Sequence, residues 1–310
     1  MSRPVAGRFL HVNLNGKSAD ATGAFYSAIL GLQSRMQTDP SVPTDGSMFG
    51  FDGPIHSDTR FYYDVRGGRG GCALEAIEWF SPALLPDTRP GPGRPGIRAA
   101  WFAVADLDGT AAALRDAGAI VGSQVHGLIS GEPAVLAIDP DGVVVELTQA
   151  TAASAPLFCG ILLSVSDAAA AVHFLTTIGF EVKESPEDKV VSADRLTPGG
   201  DSTPVNCRMA RVVLPEDGGQ FSVRLIEHPD AAGQRAPAGA NSQGLYRCAL
   251  RVDDVNAALA ALPDSVEVTA GPVYCPLPGT KIGGLNIAFL ASPDGVVFEF
   301  VERPLSYFQR

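Results

Sequence analysis

The chain has 310 residues, 45% of them hydrophobic and 18% charged, with a formal net charge of −11. That length accommodates two domains, each with its own core, and the composition is that of a folded globular protein, not a disordered one. The acidic balance, without any run of Lys or Arg, argues against a nucleic-acid partner, because such a surface repels phosphates.

Five cysteines (Cys72, Cys159, Cys207, Cys248 and Cys275) are odd in number, widely spaced and free of any C-x-x-C pair. A disulfide framework or a zinc ribbon is therefore disfavoured, and a reducing, cytoplasmic setting is expected. Met1-Ser2-Arg3-Pro4 leads directly into a strand-like run, which reads as the absence of a signal peptide. No apolar run approaches the ~18 residues of a membrane span, so no membrane association is expected.

In chain order, residues 9–14 are strand-like and 18–30 form a helix. Ser18 is its N-cap, Phe25, Tyr26 and Ile29 share a face, and Gly31 ends it. Residues 59–65 and 72–80 are strands joined by Arg66-Gly67-Gly68-Arg69-Gly70-Gly71, which reads as a flexible hairpin tip. The order is strand, helix, about three strands. It recurs from Arg98, with a strand at 100–104, a helix at 107–117 closed by Gly118, and strands through Val121, Val135 and Val145. A third pass has a strand at 161–165, a helix at 167–177 closed by Gly179, and a strand at 221–227. The fourth has a strand at 249–252, a helix near 254–262, and strands ending at Glu302. Linkers rich in Pro, Gly, Ala and small polar residues lie at 81–96, 150–156 and 231–244.

Two segments end almost identically: Asp139-Pro140-Asp141-Gly142-Val143-Val144-Val145-Glu146-Leu147 and Ser292-Pro293-Asp294-Gly295-Val296-Val297-Phe298-Glu299-Phe300. Each joins a turn to an apolar strand carrying one carboxylate. Asp139 and Asp294, with their glycines, read as turn formers and not as catalysts. The spacing from strand one to last strand is 75 − 11 = 64 in module one and 224 − 160 = 64 in module three. It is 146 − 99 = 47 in module two and 299 − 247 = 52 in module four. Long, short, long, short implies that a two-module unit was copied whole.

Four βαβββ modules, with His11-Val12-Asn13-Leu14 opening the first, Asp-Pro-Asp-Gly-Val-Val-Val-Glu-Leu closing the second and the helix signature Ala24-Phe25-Tyr26-Ser27-Ala28-Ile29-Leu30-Gly31-Leu32, resemble the vicinal oxygen chelate superfamily. That group includes glyoxalases, epimerases, bleomycin-binding proteins and extradiol dioxygenases. The resemblance covers nearly the whole chain and implies an α+β fold of tandem βαβββ modules forming two cup-shaped half-barrel domains. The expected division is 1–150, with modules one and two, and 157–310, with modules three and four. The resemblance is strong for fold and weak for reaction, since one fold hosts many chemistries.

In such cups the metal ligands come from strand one and the last strand of each module. The matching positions are His11, Glu75, Ala99 and Glu146 in the first half, and Gly160, Arg224, Arg247 and Glu299 in the second. What the resemblance implies is a divalent ion (Fe, Mn, Zn, Ni or Co) held by His11, Glu75 and Glu146, or no metal. Glu75 and Glu146 would also move the proton in a lyase or isomerase acting on a small substrate with adjacent oxygens. Strand alternation puts Asn13 beside His11 and Thr148 beside Glu146 as substrate contacts, with Leu10, Val12, Val145 and Leu147 facing away. Neighbouring Glu78 makes the register at Glu75 ambiguous. Arg224, Arg247 and Glu299 are further candidate contacts; Arg247 with Glu299 also reads as an internal ion pair, and the arginines as an anion site. His126 could reach a cup, whereas His228 reads as structural, and Tyr62, Tyr63 and Asp64 as packing or cup mouth.

Two alternatives stand beside the lyase reading. One is a ring-cleaving dioxygenase with an altered ligand set, opposed by the missing second histidine. The other is a metal-free small-molecule binder whose acidic cup takes a cationic ligand. Module one pairing with module four is a further possibility, and a monomer or homodimer is compatible with either.

Overall fold

The computed structural model describes residues 5–87, 91–151 and 155–308. The expected lead-in at residues 1–4, and parts of the expected linkers at 88–90 and 152–154, lie outside the described residues. Module one consists of β1 (Phe9–Gly16), α1 (Ala19–Gly23) continuing as a wider π-type turn (Ala24–Ile29), β2 (Gln33–Gln37), β3 (Thr44–Asp45), β4 (Pro54–Tyr63), the short turn α2 (Gly67–Gly70) and β5 (Ala73–Ser81). Module two has β6 (Gly96–Val104), α3 (Leu107–Asp116), β7 (Val121–His126), β8 (Pro133–Ile138) and β9 (Val144–Gln149). Module three has β10 (Leu157–Val165), α4 (Ala168–Thr177), β11 (Glu181–Ser192), β12 (Pro204–Val213) and β13 (Ser222–Glu227). Module four has β14 (Gly244–Val252), α5 (Val255–Ala260), β15 (Glu267–Leu277), β16 (Gly283–Ala291) and β17 (Val297–Glu302).

The helices start where side-chain acceptors satisfy their free amides: Ser18, Asp106, Asp167 and Asp254 each accept from a first-turn N–H. A second acceptor comes from the last strand of the same module. Glu78 accepts from Ala19, Gln149 from Leu107, Glu227 from Ala168 and Glu302 from Val255. Each of these lies three residues beyond the last-strand site position. The ambiguity between Glu75 and Glu78 is thereby resolved: Glu78 caps α1, and Glu75 faces the cup.

The strands form two curled half-barrels. One has the order β15-β16-β17-β14-β1-β5-β4-β2, with β3 on β4; the other is β11-β12-β13-β10-β6-β9-β8-β7. Module one therefore joins module four through the antiparallel pair β1–β14, and module two joins module three through β6–β10. This corrects the expected grouping of modules one and two in a single cup. Those two modules meet instead through turns. Asp141 accepts from the Lys17 amide at 2.8 Å, and Asp139 from the Tyr26 hydroxyl at 2.8 Å. The repeated aspartate does the same in the other half, where Asp294 accepts from the Ser166 amide.

One hydrophobic core, with buried residues from all four modules, joins the two sheets. Phe9 lies 4.4 Å from Phe221 and Phe102 4.5 Å from Phe158, ring centre to ring centre. The Gly-rich stretch after β4 is a short helical turn. It is bolted down by Asp64, which accepts from Arg66 and from the Phe158 amide, so the expectation of a flexible tip is corrected.

Candidate functional site

Backbone register puts the site positions in equivalent places in every module. On the parallel pairs, Asn13 lies beside Glu75, Trp101 beside Glu146, Leu162 beside Arg224 and Ala249 beside Glu299. His11, Ala99, Gly160 and Arg247 each precede the strand-one partner by two residues and so share its face. Because modules pair one with four, these positions assemble as His11, Glu75, Arg247 and Glu299 in the first cup. The second cup receives Ala99, Glu146, Gly160 and Arg224. His11 and Glu146 lie in different sheets, so the expected set of His11, Glu75 and Glu146 is not assembled.

In the first cup the Arg247 guanidinium bridges both carboxylates. Its Nη2 donates to Glu75 Oε2 at 2.7 Å and its Nε to Glu299 Oε2 at 2.9 Å. His11 Nε2 faces the same two oxygens at 3.4 and 3.6 Å. Glu75, Arg247 and Glu299 are buried, and the His11 ring packs edge-on against Phe61. Burial pushes the Glu299 carboxyl upward, but Arg247 and His11 outweigh it and hold the group below the usual carboxylate range. Burial works against the charge on Arg247, while Glu75 and Glu299 keep it fully ionised. The Glu299 carboxylate is therefore a weak base. Among the described residues, His11 Nε2 and Arg247 Nη1 are buried without a hydrogen-bond partner.

Above this cluster the walls are mostly apolar, with the Arg303 side chain among them. Leu10, Phe61, Tyr63, Leu277, Leu285 and Val301 line a cavity of about 90 Å³ that ends on His11, Glu75, Arg247 and Glu299. Leu10 faces inward, contrary to simple alternation, because a register shift between Phe9 and His11 interrupts the β1–β14 ladder. Two further hollows, of about 270 and 60 Å³, meet the first at Arg247 and Phe49. Phe49 lies over the guanidinium at 5.5 Å, carried there by the turn Ser47–Phe49. One backbone bond, from the Asp39 amide to the Pro278 carbonyl, ties this module-one loop to the β15–β16 hairpin. Phe49 sits in a loop without hydrophobic period, so the sequence offered no signal for it.

The second cup is filled by its own chain. Glu146 accepts from the backbone amides of Leu128, Ile129 and Ser130 at 2.8, 3.0 and 2.8 Å. This holds the 127–131 segment inside the cup, where Leu128 and Ile129 join an apolar cluster with Ala99, Leu162 and Met209. Gly160 leaves room for it: a Cβ there would meet the Ser222 carbonyl at 2.5 Å and Ile129 at 3.3 Å. Arg224 pairs with Glu184 and is not an anion site with Arg247, which lies in the other sheet.

The other candidates have structural partners. Asn13 is fully buried and donates to the Glu75 carbonyl, and the Thr148 hydroxyl accepts from Trp101. Neither lines the first cup's cavity. His126 is exposed at the end of β7, and its carbonyl accepts from Arg195. His228 accepts from the Asp230 amide and caps a short turn. Tyr63 lines the cavity, while Tyr62 is in the core.

A divalent ion does not fit the first cup as it stands. A guanidinium has donors only and cannot ligate a metal, and it already binds both carboxylates. Among the described residues, no group of three or more His, Cys, Asp or Glu is placed to hold an ion.

Four modules paired one with four and two with three, each cup built from first and last strands, define a tandem protein of the glyoxalase type. Residues 8–147 match the model of the Glyoxalase/Bleomycin resistance protein/Dioxygenase superfamily, and modules three and four repeat the same order of elements. Glyoxalase I from Zea mays is similar in structure, with 18% identity, 96% of this chain and 92% of that chain covered, and a TM-score of 0.64. A proposed dioxygenase from Bacillus subtilis is similar too, at 16% identity, 97% and 86% coverage, and a TM-score of 0.62. No curated protein matches the sequence. No helix among the described residues is long and apolar enough to cross a membrane.

Proposed function

We propose that the cup shared by modules one and four binds a small molecule with an apolar body and a cationic or N–H-bearing head. The observation that carries this reading is an apolar hollow ending on two carboxylates with one guanidinium between them. On that floor two carboxylates meet one guanidinium, with Arg303 on the wall above. A ligand that donates hydrogen bonds or brings positive charge takes up the carboxylate lone pairs that Arg247 leaves open. The body would rest on Leu10, Phe61, Leu285 and Val301.

A second reading, proton transfer of the lyase or isomerase kind, is favoured by His11, which lines the hollow and whose Nε2 has no hydrogen-bond partner. In it His11, and not the arginine-bound carboxylates, takes the proton. The dioxygenase reading requires a redox metal and a second histidine, and the cup offers a guanidinium in that place.

Calorimetric titration with amphipathic amines and their carboxylate analogues tests the proposal. Amines are expected to bind and to raise the melting temperature, carboxylates to do neither. Glu299→Gln should weaken amine binding by about 2 kcal/mol, the scale of a hydrogen bond to a charged group. Equal response to both classes, or to neither, would refute it.

A further inference from the structure

The registers relate the two halves of the first cup by an approximate twofold. His11 lies two residues before the neighbour of Glu75, and Arg247 two residues before the neighbour of Glu299. The two carboxylates are thus equivalent, with an imidazole on one side of the axis and a guanidinium on the other. We propose that Arg247 is a built-in cation standing in for a divalent metal, and that this one side chain keeps the cup metal-independent.

Three observations support the inference. First, Glu75 Oε2, Glu299 Oε2 and His11 Nε2 converge on one another, and two of these three atoms are already bound by the guanidinium. Second, Arg247 is only 4% exposed and stays charged at any ordinary pH, so it cannot vacate its place by titration, as a lysine could. The Phe49 ring lies over it at 5.5 Å. Third, the two cups differ at their equivalent positions. In the second cup the strand-one positions are Ala99 and Gly160, and the space is filled with apolar side chains. In the first, a positive charge lies between two carboxylates, where a divalent ion would otherwise be needed to balance them.

An imidazole at position 247 would mirror His11 and complete two nitrogen and two oxygen donors, a set suited to Zn²⁺ or Co²⁺. The inference rests on this cup being the ligand site, but its readout is metal alone, so failure of the amine titration would be seen separately. Chelator-stripped protein would be incubated with Zn²⁺ or Co²⁺, gel-filtered and analysed for metal. The wild-type chain is expected to retain less than about a tenth of an equivalent, with no change in melting temperature. Arg247→His should retain about one equivalent of either ion. Cobalt should give visible absorption bands that a further Glu299→Gln abolishes. Stoichiometric metal in the wild type, lost in His11→Ala, would overturn the proposal. So would a folded Arg247→His that binds none. The wild-type measurement decides the matter even where the variant does not fold.

Discussion

Glu146 shows how a sound residue-level argument can find the right need and the wrong supplier. A carboxylate inside an apolar strand requires a metal, a cation or a hydrogen-bond donor, and the family position pointed to the metal. The partner is three backbone amides of the 127–131 segment, a contact invisible in the sequence because it depends on where a loop folds back. Glu75 and Glu299 face the same demand and meet it with Arg247, so the internal ion pair was legible and its second carboxylate was not. Glu146→Ala strips a charged acceptor from three buried amides and should cost about 3 kcal/mol or more in urea unfolding. Amine binding in the first cup should be unchanged. Loss of that binding with little loss of stability would return Glu146 to the site.

At the level of elements, the main helices and the Ser18 cap were readable because capping chemistry is local. Strands β2, β11 and β15 were blurred because they are largely exposed and lack a clean apolar alternation. The turn before β9 carried a signal read only in part. Asp139 does shape the turn, accepting from the Asp141 and Val143 amides, but it also anchors Tyr26 of module one. Burial, and then Asp141, push its carboxyl up to about 7 against the effect of those bonds. An acid whose folded pKa is raised binds more protons folded than unfolded between the two values. Stability on this account is therefore full below about pH 4, falls as pH rises to about 7, and is level above. In Asp139→Asn the side-chain oxygen can still accept the two amide bonds while the charging cost disappears. The variant should lose less stability between about pH 4 and 7, by an amount of the order of 3 kcal/mol. Asp217, also raised to about 7 chiefly by burial, keeps part of the slope in place. Urea unfolding across that range checks this; a slope identical to wild type would mean that Asp139 stays ionised without cost.

At the scale of the molecule, the order of modules was written in the repeats but their partnership was not. Each first strand offers one edge to another module, and β1, β6, β10 and β14 are alike enough in pattern that sequence does not say which edges meet. The structure joins β1 to β14 and β6 to β10, so each cup draws on both halves of the chain. Fragment 1–150 would then carry two half-cups with one edge each of the apolar strands β1 and β6 open, and 151–310 would carry the complementary two. Such open edges favour aggregation, and the shared core of Phe9, Phe102, Phe158 and Phe221 would be split between the fragments. Neither fragment alone should show a cooperative melting transition. Refolded together, they should recover both the transition and amine binding, because the first cup needs Glu75 from one fragment and Arg247 from the other. A sharp, reversible transition from monomeric 1–150 would instead show that modules one and two can close a cup between themselves, and the assignment of Arg247 to the floor of the site would fall with the β1–β14 pairing.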